Sequence, residues 1–259
     1  MCIVTINRCG GRFGNKIMQL VIAAHYAFMF NKAKLLKYDP AYLRRNRRLG
    51  FLLKTSFENR EESTCQCNNE LVWKCKKTKT NNHFFYHQGS HIPEPILSEL
   101  KYVFQKYIKS NIKPIYFTNN FTKNVIHIRG GDVAGRIGGK YGRKPSEYYD
   151  LLVNIFEHNV TIVYESIHPS ITYLKNKYKG FPDVIFQSTT FEKDFATLVC
   201  CENLGLSVGT FGISSYFFSN TIKKIYAHDF RYILCGRKTE PKYYGDLTEF
   251  IDIKNVTKK

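Results

Sequence analysis

The chain has 259 residues, 43% of them hydrophobic, and carries 39 Lys and Arg against 21 Asp and Glu, for a formal charge of +18 and a pI near 9.5. This length and apolar content exclude a disordered tail or a disulfide-stapled miniature and leave room for one large core or two modest ones. The charge favours polyanionic or phosphorylated partners without naming one, and the abundance of Lys, Asn, Tyr, Phe and Ile also fits the drift of an A/T-rich genome.

The chain opens directly on strand-like residues, with no basic leader or small-residue cleavage site, so the expectation is that no signal peptide is present. Its longest apolar run, Ile17 to Phe30, is broken by Gln19 and His25 and is too short for a membrane span. Eight cysteines dispersed through a chain with enough aromatics for a core have no need to pair. A soluble, cytoplasmic protein is expected.

In chain order, a strand ends near Asn7, and Lys16 to Phe30 reads as a helix that is apolar almost all round and therefore packed between layers. "AKLLKYD" (Ala33 to Asp39) is a second strand. From Pro40 to His91 regularity falls, and the charge runs "RRNRR" and "KCKKTK" mark a variable surface. A helix from about Pro93 to Ile108 closes a first lobe, residues 1–120. The second lobe, 121–259, begins with "NVIHIRGGD" and a Gly-rich loop to Tyr141. There follow a helix over Pro145 to Phe156, the strand "VTIVYE", a helix over Ile171 to Lys179, the strand "DVIFQ", a helix over Asp194 to Cys201, the strand "LGLSVG" and a helix start near Ser214. Such alternation predicts an α/β fold with parallel, doubly wound sheets.

Three stretches could do chemistry. In "VIHIRGGD" the period of two puts Val125, His127 and Arg129 on one face and Ile126 and Ile128 on the other. Arg129 then stands at the carboxyl end of a strand, where open α/β sheets bind ligands, and its planar fork suits a phosphate or diphosphate. The alternative is an ion pair in which Arg129 and Asp132 merely close the turn. In "SVGTFGISSYFFS", Gly209 and Gly212 loosen a loop, and Ser214 or Ser215 could cap a helix whose N–H groups receive an anion, or could be an ordinary cap. In "GGRFGN", Gly10, Gly11 and Gly14 permit close backbone approach, Asn15 can cap the helix, and Arg12 projects from the turn; a tight structural turn explains the same residues.

Cys65, Cys67 and Cys75 ahead of His83, His87 and His91 lack the spacing of a zinc knuckle, and no metal site is expected. There is no P-loop, G-x-S-x-G elbow or dinucleotide fingerprint.

Together these pieces resemble the GDP-fucose-dependent fucosyltransferases. "GGRFGNKIMQ" is similar to the opening of the α-1,2-fucosyltransferase family, and its "GRFGN" also resembles the start of protein O-fucosyltransferases. "HIRGGD" followed by "YGRKPSEYYDLL" resembles the former family's His-x-Arg-x-Gly-Asp element. "DFATLVCCENLGLSVGTFGISSYFFS" is similar to its third element. The resemblance implies a GT-B enzyme, two Rossmann-like lobes across a cleft. It would move fucose from GDP-fucose to a saccharide acceptor with inversion and without a required metal or other cofactor. By that pattern Arg129 holds the diphosphate with His127 nearby, Gly14 and Asn15 line the first lobe, and Ser214 and Ser215 lie near the nucleotide. The chain departs from the pattern where the usual second Arg is Gly130; it must then recruit Arg12, Arg143 or Lys144 for any further charge, or use another sugar donor.

In such a reaction Arg129 steadies the departing diphosphate, and Asp132 is the expected base, with His127 a weaker one. Asp132 can equally lock Arg129 by a salt bridge. The rival readings are a transferase with another nucleotide sugar, an inactive relative, and a basic RNA-binding module using "RRNRR" and exposed Tyr. The absence of an RNP-like strand or a KH pattern disfavours nucleic acid as partner.

Overall fold

Parallel strands cannot be joined by tight turns, so each β-branched run in the second half of the chain must be carried back to its starting edge by a helix. The computed structural model describes residues 3–6, 13, 14, 17, 18, 20, 21, 35–38, 72–73, 97–108, 121–131, 144–228 and 248–250. The chain divides into two compact units, Met1–Ile115 with Ile233–Tyr243, and Tyr116–Tyr232 with Tyr244–Lys259.

In the first unit β1 (Ile3–Ile6) pairs in parallel with β2 (Leu35–Tyr38) on one side and with β3 (Val72–Trp73) on the other. The two-residue β3 lies in a stretch whose sequence has no strand period. Residues 13, 14, 17, 18, 20 and 21 are helical, so helical backbone reaches ahead of the expected start at Lys16. Phe13, Ile17, Met18, Leu20 and Val21 are all buried, as an apolar helix requires. In α1 (Leu97–Ile108), Leu100, Val103 and Phe104 bury one stripe at three- and four-residue spacing.

The second unit holds a six-stranded sheet. Its strands are β4 (Asn124–Ile128), β5 (Val160–Tyr164), β6 (Val184–Gln187), β7 (Asn203–Leu206), β8 (Lys224–Ala227) and β9 (Thr248–Phe250), in the order β6-β5-β4-β7-β8-β9 with every pair parallel. The last two strands extend the sheet beyond the point at which the sequence could be divided into elements. Helices α2 (Ser146–Ile155) and α3 (Pro169–Lys177) pack together on one face. Their Tyr149, Leu152, Val153, Ile171 and Leu174 close over Ile126, Ile128 and Ile162. Helices α4 (Phe191–Val199) and α5 (Thr210–Phe218) pack together and bring Phe195, Leu198, Ile213 and Phe217 into the core. The α/β class with parallel sheets is therefore the fold of this chain.

Local signals set the helix starts. Pro169 occupies the first position of α3, where its fixed φ helps and its missing N–H costs nothing. Thr190 caps α4 by accepting from Lys193 N at 3.3 Å, which starts the helix three residues before the expected Asp194. Asp194 instead accepts from the Thr189 hydroxyl at 2.7 Å and from Gln187 Nε2 at 2.9 Å, tying α4 to the end of β6.

Candidate functional site

The winding of the sheet reverses between β4 and β7: the chain proceeds from β4 to β5 and β6 on one side, then crosses to β7, β8 and β9 on the other. The carboxyl ends of these two strands flank the crevice where open α/β sheets take their ligands. Whatever stands after Ile128 and after Leu206 is therefore placed for function by topology alone.

The alternation in β4 is as the sequence requires. Ile126 and Ile128 are fully buried in the α2 and α3 core, while His127 faces α5. The His127 ring lies 5.2 Å from that of Phe211 and is 5% exposed. Burial first, and the Arg129 charge second, push its pKa down to about 3. The imidazole is thus held neutral and enclosed between β4 and the first turn of α5.

Arg129 is half-buried at the strand's end. Its backbone N–H donates to Ser207 Oγ at 2.8 Å, and Ser207 N donates to the His127 carbonyl at 3.1 Å, so side chain and main chain lace the ends of β4 and β7 together. The guanidinium lies against Gly209, which has φ 96° and ψ 174° and is the N-cap of α5. A Cβ at Gly209 would run into Arg129 Nη1, with Cζ 3.1 Å away. An always-charged fork is thereby placed beside the positive end of a helix dipole, a pairing that suits a ligand with more than one negative charge.

The end of β5 lies on the other side of β4. Gly131 has φ 60°, and its N–H donates to Ser166 Oγ at 3.0 Å. A Cβ on Gly131 would stand 3.0 Å from a Glu165 carboxylate oxygen. One on Gly130 would run into Ser166 Oγ and stand 3.0 Å from that residue's backbone N. Any side chain at position 130, the second arginine of the expected pair included, would require Ser166 to shift.

The serines considered as caps of the helix after β7 lie inside it instead. Helix α5 begins at Thr210, four residues before the expected start near Ser214, and both Ser214 and Ser215 are 0% exposed. Their hydroxyls donate back to the carbonyls of Phe211 (2.6 Å) and Gly212 (2.7 Å), so they serve the helix interior. The first turn of α5 is instead Thr210, Phe211 and Gly212. Gly14 is helical and buried in the first unit. Asp132, Arg12, Asn15 and Arg143 lie outside the described residues, as do Cys65, Cys67, Cys75, His83, His87 and His91. Lys144 is described and half-buried.

Two residues at this edge escaped sequence reasoning. Ser207 looks like any strand-end serine until its register opposite Arg129 is known. Tyr148, fully buried, donates its hydroxyl to the Leu206 carbonyl at 2.7 Å and accepts from His228 N at 3.1 Å, so α2 is tied to the ends of β7 and β8. Burial raises its pKa well above the ordinary tyrosine value. Among the described residues no group of three His, Cys, Asp or Glu is placed to hold a metal ion, and no helix is long and apolar enough to cross a membrane.

No protein-family model and no curated protein matches the chain. Among solved structures, the chain is similar to E. coli heptosyltransferase WaaC with ADP-2-deoxy-2-fluoro heptose, at 12% identity over 97% of this chain and 93% of that one, with a TM-score of 0.42. The same enzyme with ADP gives 14% identity over 91% and 90% of the two chains and a TM-score of 0.39. POFUT1 in complex with GDP gives 11% identity over 83% of this chain and 93% of that one, with a TM-score of 0.42.

Proposed function

We propose that this chain is a glycosyltransferase that takes a nucleotide sugar at the carboxyl edge of the six-stranded sheet, and that the donor is GDP-fucose. The observation that carries the reading is the placement of Arg129 at the β4–β7 reversal with its guanidinium against the N-cap of α5. The donor's identity rests on the motif resemblance, since an arginine and a helix terminus recognise a diphosphate whichever base or sugar it carries. Two α/β units are also the composition that a GT-B enzyme needs.

In this reading the bond from the sugar's anomeric carbon to the β-phosphate oxygen breaks as an acceptor hydroxyl attacks from the opposite face. Its proton passes to a carboxylate, for which Asp132 is the candidate. Charge grows on the leaving diphosphate, and Arg129 with the first turn of α5 binds it more tightly then than in the ground state. This fixed cation takes the part a divalent metal would otherwise play. Arg12, Gly14 and Asn15 enter the reading through the resemblance alone, as first-unit groups for donor and acceptor.

The test is incubation of the protein with GDP-fucose, ADP-heptose and UDP- and CDP-sugars, each with a mixed panel of saccharide acceptors, and analysis of the products by mass spectrometry and NMR. A fucosylated product with inverted anomeric configuration is expected. Turnover of a different donor replaces fucose but keeps the transferase. Failure to bind any nucleoside diphosphate removes both.

A further inference from the structure

Gly209 has a backbone conformation that is essentially restricted to glycine. Conformation alone does not explain what surrounds it. A Cβ there would run into Arg129 Nη1 and stand 3.0 Å from Arg129 Cδ and 3.1 Å from Cζ, so both the stem and the planar head of the arginine lie on this one residue. Gly180 offers an internal contrast, since its φ is 107° but nothing lies within 4 Å of where its Cβ would be. Three residues after Gly209, Gly212 repeats the arrangement under the other side chain of the same β4 face. A Cβ there would meet Leu206 Cδ2 first, at 2.5 Å, and would stand 3.0 Å from His127 Nδ1 and 3.3 Å from His127 Cγ. Residues 127 and 129 point the same way from their strand, and each rests on a glycine at the start of α5.

We propose that Gly209 is a positioning residue for Arg129, and that the missing side chain at 209 is what lets the guanidinium lie across the helix cap so that fork and helix terminus address one anion together. A guanidinium seated on backbone loses little freedom when a diphosphate arrives, because its direction is already set. Pushed off by a methyl group, the same charge would swing toward water and act as a separate, screened cation. Gly212 has the corresponding part for His127, whose enclosure beneath Phe211 depends on the close approach of helix to strand. The inference rests on the reading of Arg129 as a phosphate-binding group.

The experiment compares Gly209→Ala with Gly180→Ala, each in the wild-type and Arg129→Lys backgrounds, by two measurements. The first, made with Arg129 present, is its Nε–Hε NMR correlation in ligand-free protein, and the second, made in both backgrounds, is calorimetric titration with GDP. Both alanine variants lower the melting temperature, since both put a Cβ at positive φ. Only Gly209→Ala is expected to move the Arg129 correlation, and it should weaken GDP binding about tenfold with Arg129 present and less than about threefold with lysine there. Equal losses in the two backgrounds, or an unmoved Arg129 signal, overturn the proposal. If wild-type protein binds no GDP while Gly209→Ala still moves the signal, the seating of Arg129 stands and the donor reading falls. Should Gly209→Ala fail to fold, hydrogen exchange at Arg129 Nε in the wild type decides: exchange as fast as at an exposed arginine overturns the seating.

Discussion

The two ends of the six-stranded sheet are built on opposite plans. At the amino edge, polar side chains answer one another in kind. Asn203 Nδ2 donates to Asn124 Oδ1 and Asn124 Nδ2 to the Asn159 carbonyl, both at 2.8 Å, while Lys223 pairs with Glu202 at 2.6 Å. At the carboxyl edge, hydroxyls of Ser207 and Ser166 take up backbone N–H groups, glycines leave the floor bare, and a half-buried arginine lies across a helix cap. One end is a ladder of amide and ion pairs; the other sets a charged side chain among glycines and hydroxyls. The same strands serve both, so on the proposed function stability and activity should be separable by mutation.

The largest separation is expected from Arg129→Ala. If the carboxyl edge binds a departing diphosphate, turnover should fall by about 10²–10³-fold with only a small change in melting temperature, as when one donor of an oxyanion site is removed; steady-state kinetics and thermal unfolding together check it. Tyr148→Phe comes next and tests whether that edge is also held from beneath. It strands the buried Leu206 carbonyl and the His228 N–H, and should cost about 2–3 kcal/mol in urea unfolding. Asn124→Ala removes both links of the amino-edge ladder and should cost about 1–2 kcal/mol while leaving nucleotide affinity unchanged; an altered affinity would mean that the two ends are not independent. The smallest effect belongs to Lys223→Ala. The hydrogen bond from Lys223 lowers the Glu202 pKa, so this pair contributes above the carboxylate's unfolded value and is lost as pH falls through its folded one. Wild type and variant should therefore differ slightly in melting temperature at neutral pH and low salt, and converge on acidification or in high salt.

Much of this architecture was legible because period-two alternation and strand–helix alternation are local properties. The facing of Ile126 and Ile128 against His127, and the helix over Ser146–Ile155, follow from residues a few positions apart. The carboxyl-end position of Arg129 follows in the same way. Reading failed where partners are distant in the chain or where two local signals compete. Ser207 meets Arg129 from 78 residues away and Tyr148 meets His228 from 80. The serine-rich turn of "GISS" outweighed Gly209 as a marker of the helix start, although a glycine at a strand's end can cap as well as a serine can. Thr190 has the chemistry of a cap, but the acidic Asp194 is the more conspicuous signal of a helix start. The short β3 has no sequence period because two residues cannot display one.

The crowding at position 130 constrains how this chain could change. Any side chain there meets Ser166, at its hydroxyl and at its backbone, so an arginine gained at 130 would first be felt as an overfilled turn, whatever charge it brought. A two-arginine site here therefore asks Ser166 to give way as well as residue 130 to change.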